Sequence, residues 1–86
     1  MNFKNLVNEV KKQTSKDYEV CSDIINAYEK YCEEEIKRPF KEDIDTNMID
    51  WISSSTNYDA QTVNVVLVSL VSIVREGLKN KIPFMK

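Results

Sequence analysis

Val63-Asn64-Val65-Val66-Leu67-Val68-Ser69-Leu70-Val71-Ser72-Ile73-Val74 is the stretch that decides the fold, because it admits two readings. Its valines favour a strand, since β-branched side chains fit a pleated surface. Its spacing favours a helix: Val63, Val66, Leu67, Leu70, Ile73, Val74 and then Leu78 recur at the three- and four-residue intervals of one helical face. Each valine costs a helix only a few tenths of a kcal/mol, about 0.5 or less relative to the better formers. Burying each apolar side chain returns about 1.5–3 kcal/mol. Packing wins, and the segment is expected to form a helix over about residues 57–80. Val65 and Val68 fall outside the stripe. A helix apolar nearly all round is either central and buried or turns its second face to another chain, and both options stand at this point.

The same pattern occurs once more upstream. At an offset of 42 residues, Leu6, Val7 and Val10 align with Met48, Ile49 and Ile52, and Thr14 and Asp17 align with Thr56 and Asp59. The pairs Cys21/Val63, Ile24/Val66, Ile25/Leu67, Tyr28/Leu70, Tyr31/Ile73, Cys32/Val74 and Ile36/Leu78 continue the register, and both copies close on Pro-Phe, at Pro39-Phe40 and Pro83-Phe84. Each copy reads as a short helix, a tight turn and a long helix. The short helices are expected at 3–12 and about 47–54, and the first long helix at 16–37, where Pro39 stops it. Thr14-Ser15-Lys16-Asp17 and Thr56-Asn57-Tyr58-Asp59 are read as capping boxes at the start of the long helices. Residues 38–46, RPFKEDIDT, connect the copies. The expected fold is all-α: one domain over 1–86, built as two tandem short-long helix pairs (about 3–40 and 47–84) with pseudo-twofold internal symmetry.

Composition excludes several functions. The chain of 86 residues has no histidine, which removes the commonest general base and metal ligand. It has no glycine-rich phosphate loop and no CxxC pair. Glu33-Glu34-Glu35 is a lone acidic triplet whose side chains diverge by about 100° per residue, so they do not converge on a metal. No catalytic residue, cofactor, metal or small-molecule substrate is expected. Tyr18, Tyr28 and Tyr31 resemble a stacking platform, but their spacing assigns them to the core stripe. Cys21 and Cys32, placed about 16 Å apart along one helix, are too far apart to bridge. They read as buried thiols. The N-terminal MNFKNLVNEV lacks a signal-peptide core, and the longest apolar stretch is shorter than the roughly 20 residues a membrane span needs. A cytoplasmic protein is expected.

Charge is uneven along the chain. Residues 1–16 carry four lysines and one acid, residues 17–45 ten acids and four bases, and residues 46–86 four bases and three acids. The basic candidates for nucleic-acid contact are Lys4, Lys11, Lys12 and Lys16 at one end and Arg75, Lys79, Lys81 and Lys86 at the other. Against that use stand a net charge of −2 and a scarcity of arginine. Trp51 occupies the position equivalent to Glu9, where an exposed or marginal side chain is expected. There it either seals the edge of the core or anchors a partner, tryptophan being enriched at binding hot spots. Val65 and Val68, near Gln61, Ser69 and Ser72 on an almost uncharged helix, form a strip that can meet another helix without desolvating charge. The expected function is a small non-enzymatic protein–protein interaction or regulatory module. Its partner would be another protein or a second copy in a homodimer, met through Trp51, Val65 and Val68. Size and composition suggest a phage or mobile-element origin. The alternative is a nucleic-acid-binding accessory protein using the lysine-rich helix ends.

The segment MNFKNLVNEV…TSKD, with Leu6, Val7 and Val10 before the Ser15-Lys16 turn, resembles the N-terminal helix pair of the bacterial histone-like HU/IHF family. The resemblance covers about residues 1–37, with a fainter echo at 47–80. In that family two chains intertwine their helix pairs and grip DNA with β-arms. Here a second helix pair stands in place of the glycine-rich saddle and arms. The resemblance therefore implies an intramolecular arrangement of helix pairs without the family's DNA grip.

Overall fold

Leu6, Val7 and Val10 lie on one face of the first helix and are fully buried. They belong to α1, Phe3–Thr14, in a computed structural model that describes residues 3–38 and 40–76. The remaining helices are α2 (Tyr18–Tyr31), which runs into a π-helical turn at Cys32–Ile36, α3 (Thr46–Thr56) and α4 (Ala60–Glu76). Among the described residues there is no strand, so the fold is all-α. The valine-rich run is helical, as its spacing predicts. The equivalents proposed at Leu78, Lys79, Lys81, Pro83, Phe84 and Lys86, and the stop at Pro39, lie outside the described residues.

The capping boxes are corrected by the structure. Thr14 does not open α2; it closes α1. Its hydroxyl donates to the Val10 carbonyl at 2.8 Å and accepts from the Lys16 amide at 3.2 Å. Ser15 then adopts a left-handed backbone, φ 60°, while its amide donates to the Lys11 carbonyl. Thr56 behaves alike at the end of α3: it donates to the Ile52 carbonyl at 2.8 Å and accepts from the Tyr58 amide at 3.4 Å. Asn57, with φ 66°, donates to the Ser53 carbonyl. The carbonyls of Asp17 and Asp59 accept from the amides four residues on, those of Cys21 and Val63, each at 3.0 Å. A threonine in a last helical turn has an i−4 carbonyl within reach, and that bond competes with the capping role.

α2 is not one uninterrupted α-helix to residue 37. Its last turn widens to π spacing over Cys32–Ile36, Lys37 turns left-handed at φ 52°, and the Arg38 amide closes back on the Cys32 carbonyl at 2.9 Å. The connection that follows is tied to the core by Tyr28. This fully buried side chain donates its hydroxyl proton to the Lys41 carbonyl at 2.8 Å and accepts from the Lys41 amide at 2.9 Å. Phe40 packs edge-on against the same ring, with centroids 6.4 Å apart. Asp45 ends the connection by capping α3, its carboxylate accepting from the Met48 amide at 2.8 Å.

One core joins all four helices, through Leu6, Ile24, Tyr28, Ile52, Leu67 and Leu70 among others. Each short helix, α1 and α3, packs on both long helices, α2 and α4, whereas the two short helices do not touch among the described residues. Tyr18, read as core, is 38 % exposed instead, because it opens α2 before the helix enters the core. Val71, which the stripe omits, is buried with Ser69.

Candidate functional site

Burial of Ser69 and Val71 leaves α4 a narrow outer strip. Val65 and Val68 are 36 % and 53 % exposed there, alongside exposed Gln61, Asn64 and Ser72. Ser69 does not belong to this strip, as the sequence reading has it. It points the other way and donates to the side-chain oxygen of Gln13 on α1 at 2.7 Å. From Ala60 to Val74 the helix carries no charged residue, so the strip is neutral along its length. α4 buries most of its circumference, and these two valines remain at the surface.

A second surface lies between α1 and the end of α4. Asn5, Asn8, Lys12, Gln13 and Ser72 contribute to an open groove of about 970 Å³. Lys11 and Lys16 line it as well, but so do Glu9, Asp17 and Glu76, which leaves the lining balanced in charge. Lys12 sits 3.9 Å from Glu9, a loose pair on the surface. Such a pair contributes about 0–1 kcal/mol. Lys4 is exposed on α1 outside this lining. Arg75, at the far end of α4, is engaged with Glu42 at 2.8 Å, a contact that pins the connection to the last helix. Three of the lysines singled out from the sequence therefore converge on one groove, while Lys79 and Lys81 lie outside the described residues.

The third surface holds Trp51. Its ring meets Tyr31 edge-to-face, with centroids 5.5 Å apart at 64°, and Tyr31 itself is buried. The half-buried indole borders a groove of about 580 Å³ between α2 and α3, with Asp23, Asn26, Lys30, Glu34 and Ser55. It also borders a shallower one of about 490 Å³ with Asn47, Asp50 and Ser54. Neither groove is lined by Val65 or Val68. The Tyr58 hydroxyl donates to Asp23 at 2.8 Å, joining the α3–α4 turn to α2.

The buried titratable groups are held neutral. Desolvation raises the pKa of both free thiols, Cys21 and Cys32, and of the Tyr28 hydroxyl. A thiol kept protonated is a poor nucleophile. Cys21 instead rests 3.8 Å from the Thr14 hydroxyl, inside the first turn. Among the described residues no three histidine, cysteine, aspartate or glutamate side chains gather to hold a metal ion, and no helix is long and apolar enough to cross a membrane. Sequence reasoning missed two functional ties of the connection, Asp45 on Met48 and Tyr28 on Lys41. The first was legible in Asp45-Thr46-Asn47-Met48, a carboxylate three residues before an amide that needs a partner. Comparison with protein-family models, curated proteins and solved structures finds no match.

Proposed function

We propose that this chain is a small, non-enzymatic protein-interaction module that meets its partner through the outer strip of α4. The observation that carries this reading is the exposure of Val65 and Val68 on a helix that has no charge from Ala60 to Val74 and whose other valine, leucine and isoleucine side chains are buried. A partner helix can lie on such a strip without stripping water from ions. We further read the chain as a tandem repeat of short-long helix pairs with approximate twofold symmetry. The matching threonine bonds, left-handed residues and aspartate carbonyls of the two turns, all 42 residues apart, support that reading.

The test replaces Val65 and Val68 together by lysine and measures association by light scattering over a wide concentration range, and by capture of partners from the native cell. The expected outcome is loss of association or capture with unchanged helicity. Association that survives the double substitution would overturn the proposal. The nucleic-acid alternative draws on Lys11, Lys12 and Lys16 in the α1–α4 groove, and it ranks second because three acids share that groove. Its signature is binding to duplex or single-stranded DNA that weakens steeply with salt.

A further inference from the structure

We infer that the α2–α3 groove beside Trp51 receives a lysine or arginine side chain from an extended basic segment of a partner protein. This surface is separate from the Val65–Val68 strip, so the inference stands or falls independently of it.

Three observations converge on a cationic side chain. First, the indole is oriented: its edge-to-face contact with buried Tyr31, 5.5 Å between centroids, fixes the ring while part of it stays open to solvent. An oriented tryptophan face attracts a cation within about 6 Å through its negative π-cloud, and tryptophan is the best of the aromatic residues at this. Second, the indole borders open space on two sides, grooves of about 580 and 490 Å³, so a partner side chain can reach it. Third, the charge is complementary. Asp23 and Glu34 line the first groove against the single cation Lys30, and Asp50 lines the second, where no base opposes it. A neutral or acidic partner gains nothing from this arrangement; a basic one gains the carboxylates and the indole together.

Both carboxylates are exposed: Asp23 accepts from the Tyr58 hydroxyl, and Glu34 is able to swing onto a guanidinium or ammonium. Asn26 and Ser55, both exposed, supply hydrogen-bonding groups in the same groove for the remainder of the peptide.

Because Trp51 is the only tryptophan, its emission reports this site alone. The experiment titrates the full chain with a blocked peptide alternating arginine and glycine, and with its glutamine counterpart. The expected result is a saturable change in emission with the arginine peptide and none with the glutamine one. Calorimetry on Trp51→Phe and Glu34→Gln should show affinity about tenfold weaker in each. Glu19→Gln, which removes an acid of α2 outside the groove, should leave it unchanged. Circular dichroism confirms that the variants fold. Absence of a saturable change, an equal response to the glutamine peptide, or equal weakening by Glu19→Gln would each overturn the inference.

Discussion

Asn5, Asn8, Glu9, Lys12 and Gln13 line the groove beside α4, and Asn47, Asp50, Trp51, Ser54 and Ser55, each 42 residues further on, line a groove beside α3. The two sets hold corresponding places on their short helices, and both helices end in the same threonine-bonded, left-handed turn. Their chemistry differs at one position above all. Where α1 carries Glu9 beside an open groove of about 970 Å³, α3 carries Trp51, which packs on Tyr31 and borders two smaller grooves of about 580 and 490 Å³. On the tandem-repeat reading proposed above, the turns and the buried stripe are alike in the two halves, and the exchange of Glu9 for Trp51 is the difference to test.

The largest expected effect tests whether the two long helices also carry equivalent core residues. Tyr28 and Leu70 correspond in sequence and both are fully buried, but only Tyr28 bonds the connection through Lys41. Tyr28→Ala should cost about 3–5 kcal/mol and Leu70→Ala about 2–5 kcal/mol. For a domain of this size, whose total stability is of order 5–15 kcal/mol, either loss is a large fraction. Tyr28→Phe separates the two roles: it keeps the packing but strands two backbone groups, at about 1–3 kcal/mol. Chemical denaturation measures each value. The same hydroxyl predicts an alkaline limit. Burial raises its pKa above the ordinary 10.0 in the folded state, so its contribution is complete below about pH 10 and is lost as pH rises beyond that. Cys21 and Cys32, raised from 9.0, act in the same direction and begin lower. Tyr28→Phe should remove only the Tyr28 part of the alkaline loss and retain the parts due to the cysteines, Tyr31 and Tyr58, whose pKa values are also raised.

Exchanging the side chains that distinguish the grooves comes next. Trp51→Glu removes a half-buried aromatic from Tyr31 and should cost about 1.5–3 kcal/mol. The reciprocal Glu9→Trp enters a groove with room for it and should stay within about 0.5 kcal/mol of the parent. Thermal unfolding of the two variants checks the asymmetry. Equal costs would mean that Trp51 is no more integrated into its half than Glu9 is into the other.

Much of this was legible in the sequence, for identifiable reasons. A stripe such as Val63, Val66, Leu67, Leu70, Ile73 and Val74 has one way to bury itself, and the helix follows from it. Val65 and Val68 break that spacing and are exposed, but Val71 breaks it too and is buried, so the spacing alone does not separate them. Thr14 and Thr56 were misread because a threonine four residues after an available carbonyl and three before an acid satisfies two patterns at once, and the local backbone decides between them. The π-turn at Cys32–Ile36 left no periodic trace, since it alters the hydrogen-bond ladder and not the order of polar and apolar residues. Tyr28 was recognised as core, yet its bond to Lys41 joins groups brought together only by the folded connection. Ser69, small and polar on an apolar helix, gave no sign that Gln13 would meet it.

The turns allow a finer test of how alike the halves are. Ser15 and Asn57 both sit left-handed, at φ 60° and 66°, but asparagine tolerates that region and serine less so. Ser15→Gly should therefore stabilise the protein by about 1 kcal/mol, and Asn57→Gly by about half that or less. Unequal gains in melting temperature would confirm that the first turn holds the greater strain. Equal gains would show that both turns relax alike.

The smallest effect concerns the starts of α2 and α3. Asp17 and Asp45 both precede a helix with extended backbone, but only Asp45 turns its carboxylate onto an amide, that of Met48. Asp45→Ala should cost about 1 kcal/mol and Asp17→Ala only a few tenths, about 0.3 kcal/mol. The bond to Met48 and the neighbouring Lys41 ammonium, 3.1 Å away, hold the Asp45 carboxyl below its ordinary value of 3.8. A lowered folded-state pKa means that this stabilisation is complete above about pH 4 and fades as pH falls through the lower value. Asparagine caps as well as aspartate at neutral pH but does not titrate. Asp45→Asn should consequently match the parent at pH 7 and lose less stability than the parent between about pH 4 and pH 2. Denaturant titrations at the two pH values measure the difference. If the variant and the parent fall in parallel, the acid sensitivity of the molecule lies in carboxylates other than Asp45, and the cap acts through geometry alone.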